Sequence, residues 1–258
     1  MLGAIAGDVI GSVHERSGTK TKDFELLVPD SRFTDDTVLT VAVADCLLHG
    51  KDYVDALHDY FHAYPAAGYG GTFIRWAGYR RREPYQSWGN GSAMRVSAVA
   101  YARDTLAEVL EEARRSAAVT HDHEQGIRGA QATAAAVFLA RTGASKEQIR
   151  RYTEEQFGYF LEETLDQIRP TYAFDVSCQG SVPQSILAFL ESTDYEDAVR
   201  NAISLGGDAD TMACIAGAIA EPFYGGVPSA IAEPVLALLE VRLRGIVWEF
   251  RERFGLAG

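Results

Sequence analysis

Cysteine is scarce in this 258-residue chain: there are three, Cys46, Cys178 and Cys214, and no C-x-x-C pair. A disulfide framework is therefore excluded and a reducing compartment favoured. No stretch reaches 18 uninterrupted apolar residues, so no membrane-spanning helix is expected. The apolar opening Met1–Gly7 lacks a basic flank and is broken by Asp8, unlike a secretory leader, so a cytoplasmic protein is expected. Basic charge is also short. With 24 Lys and Arg against 36 Asp and Glu, the net charge of −12 opposes non-specific binding to nucleic acid or anionic membranes. No run of alternating apolar and polar residues forces a sheet, and no repeat, linker or low-complexity stretch divides the chain.

What is present is helical periodicity. With 47% apolar and 23% charged residues, the chain can bury a sizeable core. Apolar spacing predicts helices over 35–48, 53–64, 93–103, 108–119, 126–140, 145–157, 195–205, 212–220 and 235–254. Gly50 is placed to stop the first of these, and Ser145 with Gln148 forms a capping box for the sixth. Pro183 is read as opening another helix after a loop over 170–181. The expected fold is all-α, one domain over residues 1–258, with a metal cleft built from loops and helix ends. Cys46 and Cys214 fall in apolar helical runs and read as buried thiols.

Acids gather at two helix starts. Thr34-Asp35-Asp36-Thr37 begins one helix, and Gly206-Gly207-Asp208-Ala209-Asp210-Thr211 begins another. A single Thr or Asp before a helix is ordinarily an N-cap. Two acids at each start exceed what capping needs, and their repulsion requires an offset. Oxygen-only donors with no His or Cys beside them suit magnesium or manganese better than zinc. The two clusters are therefore expected to meet and hold divalent cations, which in known two-metal sites lie ~3.5–4 Å apart. Gly3, Gly7 and Gly11 would line one helix face, fitted to close approach of another helix backbone. Glu15 follows that helix at its C-terminal end, where the macrodipole disfavours an acid, which hints at a role.

Weaker signals surround these clusters. Residues 66–92 read as loop, containing Gly68–Thr72, a solvated Arg80–Arg82 run and Ser87-Trp88-Gly89-Asn90-Gly91. The last stretch could turn backbone N–H groups toward an anion, with Trp88 as a flat surface for a base. His58 and His62, at i and i+4, read as a solvated helix face, for want of a third zinc ligand. His121 and His123 form an H-x-H pair between two helices, as compatible with backbone hydrogen bonding as with metal.

The run Gly3-x-x-x-Gly7-Asp8-x-x-Gly11-Ser12-x-x-Glu15, with Thr34–Thr37, Gly89–Arg95, Thr120-His121 and Gly206–Thr211 followed by Ala216-Gly217-Ala218, resembles the ADP-ribosylglycohydrolase family. That family includes dinitrogenase reductase activating glycohydrolases and ADP-ribosyl-acceptor hydrolases. The resemblance implies an all-α fold and hydrolysis at the anomeric carbon of the distal ribose, releasing ADP-ribose from a modified protein or small-molecule acceptor. It implies two Mg²⁺, or Mn²⁺: one held by Thr34, Asp35, Asp36 and Asp210, the other by Asp208, Asp210, Thr211 and Glu15. Glu15, Asp35 and Asp36 become the candidate catalytic carboxylates. Ser87, Trp88, Gly89, Asn90, Gly91 and His121 are expected to bind the nucleotide, with Cys178 and Gln179 in a loop beside the adenosine and Gly70 and Gly71 on the acceptor side. The acceptor loop has no acid to pair a guanidinium; arginine-linked ADP-ribose is still favoured over serine or other O-linked forms, with Asp122 or Asp175 as the substitute charge. A monomer is expected. The rival readings are a magnesium-dependent nucleotide phosphohydrolase and a non-catalytic ADP-ribose-binding protein of the same fold.

Overall fold

Residues 1–256 are described in the computed structural model of the protein. Its helices run in order as α1 (Leu2–Gly11), α2 (Asp35–His49), α3 (Tyr53–Ala63), α4 (Gly71–Gly78) and α5 (Gly91–Met94). They continue as α6 (Val99–Ala102), α7 (Leu106–Ala118), α8 (Glu124–Arg141), α9 (Lys146–Phe157) and α10 (Leu165–Ile168). The last are α11 (Cys178–Leu190), α12 (Tyr195–Ile203), α13 (Ala209–Phe223), α14 (Ser229–Leu238) and α15 (Val241–Arg253). Among the described residues there is no β-strand, only one isolated antiparallel bridge between Gly89 and Ser177. The all-α expectation is met. Ala257 and Gly258, the end of the expected 1–258 domain, lie outside the described residues.

The centre of the fold is α1 against α13. All ten residues of α1 are buried, as an all-round apolar helix requires. Its glycine row touches α13 backbone to backbone. A Cβ on Gly7 would collide with the Ala213 carbonyl, one on Gly3 with the Gly217 carbonyl, and one on Gly11 would stand 2.5 Å from the Asp210 Cα. Helices α8, α11 and α12 pack around α13, and α2 packs against α1, so the core is continuous from Met1 to Phe250. The N-termini of α2 and α13 both open on the same cleft.

Several expected boundaries shift, each for a local reason. The predicted 93–103 helix is two short turns, α5 and α6, because the Met94 carbonyl accepts from Thr40 Oγ1 and Cys214 Sγ, each at 3.3 Å, on neighbouring helices. The 235–254 helix is broken where Leu239 goes extended and buries its side chain, which separates α14 from α15. Helix α11 begins at Cys178, capped by Ser177, and Pro183 lies inside it rather than at its start. The 66–92 loop contains α4, whose Trp76 packs against His58 with ring centroids 4.4 Å apart and planes tilted by 47°. His58 is thus buried, contrary to the solvated face expected, while His62 is exposed.

Gly7→Ala should destabilise the protein by about 1–3 kcal/mol or more, since the clash is with backbone that no side chain can relieve. Gly245→Ala, exposed on α15 with nothing within 4 Å, should instead stabilise it by about 0.5–1 kcal/mol. Urea unfolding of both variants checks the pair.

Candidate metal centre and cleft

The α1–α13 contact carries Asp8 to the N-terminus of α2. Asp8 is an acid in an otherwise apolar helix and is fully buried. Its Oδ2 accepts from the backbone N–H of Thr34 at 2.9 Å and of Thr37 at 3.1 Å, and from the Thr37 hydroxyl. Its Oδ1 accepts from Thr34 Oγ1 at 2.6 Å. Thr34 caps α2, with its Oγ1 accepting from Asp36 N at 3.3 Å. Capping and site-building therefore coexist at this cluster.

At the second cluster capping fails as an explanation. Asp208 is the N-cap of α13 but makes no side-chain cap; its Oδ2 accepts from Asn90 Nδ2 at 2.7 Å. Gly206 takes the left-handed turn into it, at φ +67°. Asp210 and Thr211 follow in the first turn, and Thr211 Oγ1 donates to Asp36 Oδ2 at 3.2 Å. Thus the two acid clusters meet as expected: carboxylate oxygens of Asp8, Asp36 and Asp210 all lie within 4.8 Å of one another. Asp8 was absent from the expected ligand set. Its signal was the lone acid on a buried helix face, one residue after Gly7.

The electrostatics are unfavourable without a counter-charge. Burial, then the Asp210 charge, raises the Asp8 carboxyl from its usual 3.8 to about 7. Burial and then Asp210 also push Asp35, Asp36 and Asp208 well up, and Glu15 is raised by the same causes. Asp36 Oδ1 is buried with no hydrogen-bond partner. An orphaned carboxylate oxygen among massed acids, with no Cys or His in the set, fits a hard divalent cation. Asp8 fits that role less well, because both its oxygens are already engaged by Thr34 and Thr37.

Asp36 and Asp210 of the cluster line a cleft of about 370 Å³. Glu15, half-buried one turn beyond α1, lines it with Thr34, Asp35, Asp36, Asp208, Asp210 and Thr211. Gly70, Gly71, Ser87, Gly89, Asn90, Gly91 and His121 line it too. Three expected residues do not. Trp88 is 51% exposed and not part of the wall, although Phe174 and Val176, which sequence reasoning missed, are. Cys178 is buried in the first turn of α11, where its thiol donates to the Gly89 carbonyl at 3.0 Å; burial pushes that thiol up to about 12. Gln179 is exposed on the same turn, outside the cleft. His123 caps α8, accepting from Gln125 N at 3.1 Å. Asp122 receives the Gln86 N–H and amide, and Asp175 receives Ser177 N, so neither acid reaches the cleft.

Comparison with known proteins agrees with this geometry. The family model described as ADP-ribosylglycohydrolase matches residues 1–254. The chain is 28% identical to mouse (Mus musculus) ADP-ribosylhydrolase ARH3, over 87% of this chain and 82% of that protein. It is 26% identical to the ADP-ribosylarginine hydrolase Tri1 of Pseudomonas putida, over 91% and 72%. A solved structure titled "ADP-ribosylglycohydrolase-related protein complex" shares the fold, with a TM-score of 0.66 and 24% identity over 97% of this chain and 96% of that one.

Raised carboxyl pKa values set the sign of a pH effect. Between the unfolded and folded values the native state binds more protons, so stability falls as pH rises. Metal-free protein should lose thermal stability as pH rises from about 4, through about 7 for Asp8 and on through the raised range of Asp35, Asp36 and Asp208. Magnesium should restore it near neutrality and add little in acid. Melting curves with chelator or magnesium across this range check the effect; equal magnesium shifts at both ends would count against a metal at these acids.

Proposed function

Because the chain belongs to the ADP-ribosylglycohydrolase family, and is therefore a glycohydrolase of ADP-ribose linkages, we propose a divalent-metal mechanism acting on O-linked ADP-ribose. The observation that carries it is the meeting of the α2 and α13 acids in the wall of a ligand-sized cleft of about 370 Å³. Two Mg²⁺ ions, or Mn²⁺, bound by Thr34, Asp35, Asp36, Asp208, Asp210, Thr211 and Glu15 would supply Lewis-acid binding of the distal ribose hydroxyls.

The chain's own residues do the rest. Asp8 accepts the hydrogen bond of the Thr34 hydroxyl and Asp36 N–H fills one lone pair of that oxygen, which leaves the other to face the cluster. Asn90 holds Asp208 in place. Glu15, raised by burial and half-open to the cleft, is suited to orient a water and take its proton, with Asp35 and Asp36 the other carboxylates in reach of the site. The acids also favour positive charge building on the ribose as the leaving group departs. The Ser87–Gly91 turn and His121 face the diphosphate, and exposed Trp88, Phe174 and Val176, on segments paired through Gly89 and Ser177, offer the adenine a surface.

The acceptor linkage follows from charge. Arginine was favoured from sequence with Asp122 or Asp175 as counter-charge, and both are engaged elsewhere. The wall over Gly68–Phe73 carries no acid, while Arg32 lines the mouth close enough to Glu15 to favour its ionised form. A guanidinium leaving group would be repelled by that cation, and with Glu15 and Asp35 assigned to the metals no acid of this wall is left to pair it, whereas a hydroxyl needs none. We place the protein in the cytoplasm as a monomeric, single-domain enzyme over residues 1–258; no described helix is long and apolar enough to cross a membrane.

Serine-linked ADP-ribose with magnesium should release free ADP-ribose faster than the arginine-linked form, read by chromatography of the products. Release from arginine alone would reverse the linkage assignment, and inorganic phosphate or AMP as product would overturn the reaction class. Asp36→Asn should lower turnover by about a hundredfold or more with helical circular dichroism retained. Trp88→Ala combined with Phe174→Ala should weaken ADP-ribose binding by ~1–3 kcal/mol in calorimetry.

A further inference from the structure

The Arg80–Arg82 run, expected to be a solvated face, follows the helix that walls the cleft opposite the nucleotide side. From residue 60 to residue 82 the chain carries four arginines and no acid, although acids outnumber bases 36 to 24 overall. Two of the four are neutralised nearby: Arg82 bonds Asp52 and Asp55, and Arg80 lies 3.7 Å from Asp59, all on α3 or its cap. Arg75 and Arg81 pair with no acid among the described residues. Arg75 Nη2 donates to Thr72 Oγ1 at 3.3 Å, and the Arg81 guanidinium sits over the Tyr79 ring, 5.7 Å from its centroid.

These cations stand on a surface continuous with the cleft. The first turn of α4, Gly71–Phe73, lines the cleft, while Phe73, Trp76 and Ala77 bury the inner face. The outer face presents Ile74, 45% exposed, then Arg75 and Gly78, and ends at Tyr79, 74% exposed. At 1.5 Å of rise per residue, Arg75 and Tyr79 stand about 6 and 12 Å along the axis from Gly71. An extended peptide covers that span in roughly two to four residues. The helix end is held firmly: Arg81 N–H donates to the Trp76 carbonyl and Arg80 N–H to that of Ala77, each at 3.0 Å. Arg80 takes the left-handed position of this cap, φ +47°, where glycine is usual. Tyr79 and Arg81 are therefore presented from a closed turn rather than a loose loop.

We propose that the outer face of α4, from Ile74 to Arg81, docks the polypeptide that carries the modified serine, with Arg75 and Arg81 taking acidic side chains about two to four residues from the linkage. This rests on the function proposed above, which puts the acceptor on the α4 side of the cleft. ADP-ribose is the same on every target, so a cleft that reads it cannot choose among proteins; a surface beside the cleft can. The charges select the occupant. Two unpaired cations beside exposed Ile74 and Tyr79 complement an acidic, partly apolar peptide, whereas in a chain of net charge −12 they are too few to hold a nucleic-acid backbone.

The experiment compares ADP-ribosylserine with one serine-ADP-ribosylated peptide made in three forms. These carry aspartate, alanine or lysine at the positions two to four residues from the serine, on both sides. Wild-type kcat/KM should rank aspartate over alanine over lysine, with about three- to tenfold between the extremes, the size of two exposed ion pairs. The ranking should flatten at high salt. Arg75→Glu combined with Arg81→Glu should reverse it in favour of lysine and leave ADP-ribosylserine turnover unchanged. An unranked wild type, a ranking that survives the double substitution, or equal slowing of all four substrates overturns the proposal. So does inhibition by single-stranded DNA that exceeds inhibition by the unmodified aspartate peptide. If ADP-ribosylserine is not cleaved, the functional reading fails, and calorimetric affinities of the three peptides in chelator then decide the surface by the same ranking.

Discussion

Everything at the site depends on two helices touching without side chains between them. Where Gly3, Gly7 and Gly11 of α1 meet the Ala213, Gly217 and Asp210 backbone of α13, the spacing is set by main-chain atoms. Such a contact has little freedom to slide, because any Cβ in the row would collide with a carbonyl. It fixes Asp8 relative to Asp210, and Asp8 then fixes the entry of α2 through its bonds to Thr34 and Thr37. The geometry of the acids is therefore inherited from the core rather than assembled by loops. This is the condition a preorganised centre needs.

The same packing creates an electrostatic problem. Carboxylates from α1, α2 and α13 are buried within a few ångströms, and their repulsion opposes folding when they ionise. Part of the offset is local: the positive ends of α2 and α13 point into the cluster, and Asn90 and Thr211 donate to its oxygens. That is not enough to satisfy Asp36 Oδ1. In the proposed metal centre folding and metal affinity would be coupled through one set of groups, the stability lost to repulsion being regained when a cation binds.

How much of this could be read from the sequence depends on what each residue answers to. The acids at 34–37 and 206–211 were legible because two acids at one helix start exceed what capping needs, and the glycine row was legible because its period matches a helix face. Asp8 was less so: its neighbours are apolar, and its partners, Thr34 and Thr37, come from a distant helix start. Helix α4 escaped because its eight residues, Gly71–Gly78, begin and end in glycine, and with it went the burial of His58 beneath Trp76. Cys178 was assigned to a substrate loop, although its thiol is spent holding the Gly89 carbonyl and packing against Gly129. The break at Leu239 depends on burying one side chain in the core, which local periodicity cannot express.

The cleft also divides its work by polarity. Acids that need a cation line it, and so does a buried cation, Arg95, that pairs with no acid among the described residues and donates instead to Thr120 Oγ1. Were Arg95 in direct reach of the acid cluster, an ion pair would form and satisfy the carboxylates without metal. Its bonds to the Ser116 carbonyl and to Thr120 Oγ1 hold it on another part of the wall. A ligand that is anionic in its middle and carries a sugar at its end suits this separation, with the diphosphate toward the donors and the ribose hydroxyls toward the metal ligands. In the proposed reading the separation of unlike charges along the cleft is part of the specificity, because neither can satisfy the other in place of a molecule with both chemistries.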